Sequence, residues 1–216
     1  MKYKVSLCIS ALCFFMAFLI LLSARAKEQE ALADRIAPDI LRFHVLAESN
    51  RPEDQELKLG VKDLILDYVK RHGPEDAGKA QLSQWLLGER GQIEALAESW
   101  LLAQGCALPV RMELSRDYFP SKAYGDMVFP CGFYDAARIT IGHGKGRNWW
   151  CVLYPSLCFT DSVHGAVPAS SRRQLSSLLD EGDYNALLPV AQRKEKKPEI
   201  QVKFRLSELF CSSFDH

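Results

Sequence analysis

The chain has 216 residues, 27 Lys and Arg against 27 Asp and Glu, and 48% apolar side chains. This balance excludes the clustered basic excess of a nucleic-acid surface. The length beyond an N-terminal leader suits one domain.

Val5–Leu22 is apolar except for Ser6 and Ser10, and it follows Lys2 and Lys4. A positive start before such a run marks an export signal or a membrane anchor. Its 18 residues exceed an ordinary signal core and just reach spanning length. Ala24-Arg25-Ala26 supplies a cleavage site of the A-x-A type, so removal and retention both stay open. Either way the remainder is placed outside the cytoplasm. Losing residues 1–26 removes Lys2, Lys4 and Arg25, leaving 24 basic and 27 acidic side chains.

Lys27–Ala37 reads as a helical spacer within a linker over 27–39. Ile40–Ala47 alternates, with Leu41, Phe43, Val45 and Ala47 on one side and Arg42 and His44 on the other, as in a half-buried strand. Asn50 three residues before Glu53, with Pro52 between, predicts a capping box. Leu57, Val61, Leu64, Ile65 and Tyr68 then give an amphipathic helix over Glu53–Arg71, stopped by Gly73-Pro74. Leu82, Trp85 and Leu86 mark a second helix over Gly78–Leu87. Ile93, Leu96, Ala97, Trp100 and Leu101 mark a third, closed by Gly105.

Alternation returns over Pro109–Arg116 and over Ala137–Ile141. Trp149–Tyr154 is either the returning strand of a hairpin or a helical turn capped by Asn148. Ser170–Leu188 holds one or two helices, and Ile200–Ser207 alternates as a last strand. Interspersed strands and helices predict an α+β fold, a small mixed or antiparallel sheet with helices mainly on one face. The single exported domain is expected over 40–207, with a tail over 208–216. Arg193–Lys197, the one basic cluster, is a solvated turn or a contact for an anionic membrane surface.

The densest local signal is Gly142–Asp161. Gly142, Gly144 and Gly146 permit positive φ or close backbone approach, and adjacent Trp149 and Trp150 bring large contact areas. The glycines lack the Gly-Lys-Ser/Thr ending of a phosphate loop, so nucleotide binding is not expected. Lys145 and Arg147 are then loop charges or contacts for an acidic partner. Cys151 and Cys158 form a disulfide around Pro155 or stay as small buried groups. The rival chemistry is a hydrolase in which Cys151 is the nucleophile and His143, His164 or His44 the base. Five cysteines follow the leader (Cys106, Cys131, Cys151, Cys158 and Cys211), with no zinc-site spacing, so neither metal nor cofactor is expected. Before this segment, Phe119–Asp126 leads to Pro130-Cys131-Gly132. Its Lys122, Tyr124 and Asp126 form a recognition surface or pack over a sheet edge.

Three segments carry a family resemblance. They are Leu41–Asn50 with Glu53-Asp54-Gln55 and Leu57-Lys58-Leu59, then Phe119–Asp126 through Pro130-Cys131-Gly132, then Gly142–Asp161 around Asn148–Pro155. Across about Arg35–Asp161 the chain resembles the stage II sporulation protein R family of endospore formers. The resemblance implies a protein made in the forespore and exported into the space facing the mother cell. There it would trigger a membrane-embedded aspartic protease to process the precursor of sigma factor E. It implies no catalytic residues, no small-molecule substrate and membrane contact during export. The expected partner surface is Lys122, Tyr124, Asp126, Lys145, Arg147, Trp149 and Trp150. An extracytoplasmic enzyme and a structural envelope protein are the competing classes.

Overall fold

The structure, a computed structural model, describes residues 2–75, 77–158 and 167–189. The expectations for His164, Arg193–Lys197, Ile200–Ser207, Cys211 and the tail fall outside these residues. Helix α1 spans Lys2–Ile36, and a 3-10 turn over Ala37–Asp39 leads into β1, Leu41–Leu46. Then come α2 (Pro52–His72), α3 (Lys79–Gly88) and α4 (Arg90–Ala103). Strands β2 (Val110–Phe119), β3 (Lys122–Tyr124), β4 (Met127–Phe129), β5 (Gly132–Ile141) and β6 (Asn148–Tyr154) follow, before α5 (Ala169–Leu178) and α6 (Glu181–Leu187).

The fold is α+β, with a mixed four-stranded sheet in the order β2-β5-β1-β6. β1 runs parallel to β5 and antiparallel to β6, while β2 and β5 pair antiparallel. β3 and β4 make a separate two-stranded hairpin. Trp149–Tyr154 is therefore strand, not helical turn.

Side chains alternate across a strand, so register assigns the two faces. Phe43 and Val45 stand beside Ala137 and Ile139 on one face. The α2–α4 layer covers that face with Val61, Ile65, Leu86, Ile93, Ala97 and Leu101, all buried. Carboxylates of this layer also protect a sheet edge. Glu94 and Glu98 on α4 accept the outward N–H groups of Met112 and Val110 at 2.8 and 2.9 Å, which blunts the start of edge strand β2 against unwanted pairing.

The sequence assigns Arg42 and His44 to a solvated face, and the structure corrects this. Arg42 is 0% exposed and His44 is 3% exposed. The reason is β1's position inside the sheet, with the β3–β4 hairpin and the end of α1 covering the second face. Tyr124, Met127 and Phe129 of the hairpin are buried there.

α1 is long and apolar enough to cross a membrane, and its last turns belong to the domain. Ala33 and Ile36 are fully buried, and Arg35 pairs with Asp183 on α6. Residues read as a spacer thus carry part of the core. The close approach is made at Gly132, where a Cβ would lie 2.4 Å from the Ala33 Cβ. Gly132→Ala is expected to push α1 off β5 and destabilise the fold by about 1–3 kcal/mol, as overpacking does. Chemical denaturation of the full chain measures it, and an unchanged midpoint would mean that the contact is dispensable.

Candidate functional site

The β5–β6 connection is held against the β1–α2 turn by backbone and side-chain bonds. Gly142 and Gly144 take φ of +57° and +64°, conformations that favour glycine. Gly146 is needed for space, because a Cβ there would lie 2.3 Å from the Ser49 carbonyl oxygen. The Gly146 and Lys145 N–H groups donate to the Ala47 and Glu48 carbonyls at 2.8 and 3.2 Å. His143 adds its backbone N–H and ring Nδ1 to the Glu48 carboxylate, the ring bond being 2.9 Å. These bonds hold the Glu48 carboxyl below its usual range.

The expected capping box is absent. α2 starts after Arg51 without a side-chain cap. The Asn50 acceptor is taken by the Arg147 N–H at 2.9 Å, and Ser49 bonds Asp54 instead. Lys58, buried in α2, completes the clasp by donating to the Arg147 carbonyl at 3.1 Å.

Trp149 and Trp150 emerge on opposite faces of β6. Trp149 meets Phe43 edge-on at 6.1 Å, with the Lys62 ammonium 5.0 Å from its ring centre. Trp150 stacks on the His44 ring at 4.9 Å and contacts Phe119 at 4.7 Å. Both are half-buried, so the two do not divide into one buried and one exposed tryptophan. Each covers a neighbour with one side of its indole and keeps the rest at the surface.

Cys151 is bonded to Cys158 with Cα atoms 5.5 Å apart. It lies in mid-strand at 1% exposure, so it presents no thiol and sits at no helix N-terminus. The geometry a Cys151 nucleophile requires is absent.

The second sheet face carries a polar row that sequence reasoning missed. His44 Nε2 bonds Asp117 at 3.0 Å, and Arg138 bonds the other Asp117 oxygen at 3.0 Å and Glu113 at 2.9 Å. Ser115 also donates to Asp117. It bonds the carboxylate rather than the imidazole, so the trio lacks the base–nucleophile contact of a hydrolase. Burial raises the Asp117 carboxyl, but the Ser115 and His44 bonds and the Arg138 charge outweigh it and leave a net lowering. Burial lowers His44, and the Asp117 bond only partly offsets this. Beside the row is an open groove of about 550 Å³, bounded by Leu46, Leu108, Arg111, Arg138 and Thr140. The signal for this face lay in the strand pattern, where polar residues alternate on β1, β2 and β5 in matching register.

The partner residues chosen from sequence divide. Tyr124 is buried, its hydroxyl 3.2 Å from Arg42 Nη2. Asp126 is tied to Arg172 and to the Val167 N–H. Lys122, Lys145 and Arg147 are exposed. Phe119, at the end of β2, touches both Arg42, at 4.4 Å, and Trp150, so one ring joins the surroundings of both on this face. Trp149 stands on the other. Among the described residues no three His, Cys, Asp or Glu side chains are grouped to hold a metal.

His44 predicts a pH dependence. Its folded pKa lies below the ordinary 6.5, so the unfolded chain binds a proton that the folded chain resists. Stability should hold above about pH 6.5 and decline as pH falls below it. His44→Gln should lose that slope, whatever its baseline. Urea titrations between pH 5 and 8 test this, and an identical slope in the variant would assign it elsewhere.

Comparison with known proteins adds three findings. The family model described as stage II sporulation protein R matches residues 37–164. The stage II sporulation protein R of Bacillus subtilis (strain 168) is 29% identical over 226 aligned residues, covering 99% of this chain and 100% of that protein. No solved structure matches.

Proposed function

The chain belongs to the stage II sporulation protein R family, and from that membership we propose that it is an exported signal of endospore formation. In this reading it is made in the forespore and crosses the forespore membrane through α1. From the intermembrane space it triggers a membrane-embedded aspartic protease to process the sigma factor E precursor. The family match carries the reading, and the apolar α1, which fits a signal peptide or membrane anchor, supports it.

The signal acts by binding rather than by catalysis. A ligand shifts a partner's equilibrium only through differential affinity, so the docked surface must fit the active protease better than the idle one. Stabilising an assembled protease dimer is the simplest such fit. The surface we assign is the second sheet face and its rim: the hairpin with Lys122 and Asp126, Tyr124 lying buried beneath it, and the loop with Lys145, Arg147 and Trp150. Trp149 adds contact around the β6 edge, since β6 pairs only with β1 among the described strands. Aromatic and Arg anchors dominate such interfaces.

Co-expression of this chain with a candidate protease and the sigma precursor tests the reading. Precursor cleavage should require the chain. Charged residues at Leu19–Leu22 should abolish cleavage by retaining the chain inside, because charges oppose membrane insertion. Normal signalling by that variant would end the export reading.

A second comparison separates signal from enzyme. Cys151→Ser and Cys158→Ser break the same disulfide, so they should reduce signalling equally and in step with lost stability, typically about 2–5 kcal/mol for a native disulfide. Loss specific to Cys151→Ser in folded protein would favour cysteine chemistry.

A further inference from the structure

Arg42 is among the largest fully buried side chains of the described residues. Its Nε donates to the Cys151 carbonyl at 3.1 Å and its Nη2 to the Tyr124 hydroxyl at 3.2 Å. Four rings surround the guanidinium, with centres 4.4 Å (Phe119), 5.0 Å (Tyr134), 5.6 Å (Phe129) and 5.7 Å (Tyr124) away. Among the described residues no carboxylate forms an ion pair with it, and its Nη1 has no hydrogen-bond partner. Burial pushes the Tyr124 and Tyr134 phenols up, so neither supplies a negative charge. The rings attract the cation but leave its planar fork of donors incompletely used.

Two further buried atoms without partners are His44 Nδ1 and Asn148 Oδ1. Register puts all three side chains on the same face. Arg42 and His44 alternate along β1, and Asn148 lies opposite Leu46, the next residue of that row. Unsatisfied buried polar atoms are rare in folded proteins, and here they line one strip between the hairpin and the glycine loop.

The hairpin covers the Arg42 end of this strip. β3 and β4 pair with each other and with no strand of the main sheet. Besides the burial of Tyr124, Met127 and Phe129, their tip is held by Asp126, which binds Arg172 and the Val167 N–H. Lifting that tip would withdraw Tyr124 and open the Nη edge of Arg42.

We propose that Arg42 is the receptor for a carboxylate carried by the protein partner, which replaces the Tyr124 hydroxyl when the β3–β4 hairpin lifts. The guanidinium fork matches a carboxylate with two parallel bonds. Phe119 and Tyr134, which stay with the main sheet, would flank the new pair. This deepens the signalling reading and rests on it, because it names the chemistry by which the second face grips its partner.

The test uses the full chain, with urea denaturation and precursor cleavage measured on the same variants. A buried cation kept only for structure and one kept for recognition differ here. Apolar replacement of a buried charge is commonly neutral or stabilising. Arg42→Met should therefore keep or raise the unfolding midpoint, yet cut cleavage at least tenfold at matched protein level. Arg42→Lys retains the charge without the fork and should also signal poorly at an unchanged midpoint. Arg172→Gln breaks the tie to Asp126 from outside the docking surface, loosens the cover and should raise signalling. Acetate, used as a small-carboxylate probe, should inhibit wild-type signalling relative to chloride at equal ionic strength.

Several results would overturn the proposal. One is normal signalling by either Arg42 variant, including the case where Arg42→Met does not fold and Arg42→Lys signals normally. Another is loss of signalling that only tracks loss of folded protein. Stabilisation of wild type by acetate with cleavage undisturbed would assign the site to a free small acid instead. If wild type itself drives no precursor cleavage, the functional reading fails before this inference is reached.

Discussion

A guanidinium with no carboxylate beside it among the described residues sets the design of the second sheet face. Arg42 leaves the start of β1 on the side away from the helices, and everything near it is arranged to tolerate a desolvated cation. Phe119 closes one side, Tyr134 another, and the hairpin brings Tyr124 and Phe129 over the top. Removing a charge from water is expensive unless it is paired. A small hairpin outside the main sheet, and the aromatic residues at the ends of β2 and β5, become intelligible as the wall of that cage. The Cys151 carbonyl that Arg42 binds belongs to a residue fixed by the Cys151–Cys158 bond, so the disulfide and the cage are mechanically joined.

The two faces of the sheet follow different rules. The helix face is aliphatic and tightly enclosed, as ordinary α+β packing requires. The other combines rings, an ion network through Asp117 and an open groove. Its ionic part is graded from buried His44 to half-exposed Arg138 and Glu113, so charge becomes more available to solvent toward the groove. An aromatic centre inside a polar rim is the anatomy of a protein interface.

Much of the scaffold was legible in the chain because hydrophobic periodicity states it directly. Leu57 to Tyr68 and Ile93 to Leu101 could serve only as helix stripes, and Val110 to Leu114 only as a strand face. Arg42 and His44 misled because alternation with apolar neighbours is the mark of a solvated face, and nothing local says that a distant hairpin will cover it. The hairpin itself was hidden by length, since three-residue strands produce too little alternation to register. Ala33 and Ile36 were read as spacer because their core partners, Gly132 and the elements near it, lie about a hundred residues away. The glycines and tryptophans of the β5–β6 connection were visible as unusual, but their contacts depend on the β1–α2 turn, which only the folded chain brings to them.

The docking of α1 fixes a height as well as a contact. Leu22 ends the apolar run and Ala33 is locked against β5, 11 residues further along an uninterrupted helix. At 1.5 Å per residue this separation is about 17 Å. With the apolar run seated in a bilayer, the sheet would be carried on a short stiff stem instead of a tether. Its reach above the lipid would be set by helix length, and a search for a membrane-bound partner would reduce to sliding and rotating in two dimensions. Inserting residues between Arg25 and Leu32 would then change elevation and heading together, since each added residue turns the domain by about 100° around the stem.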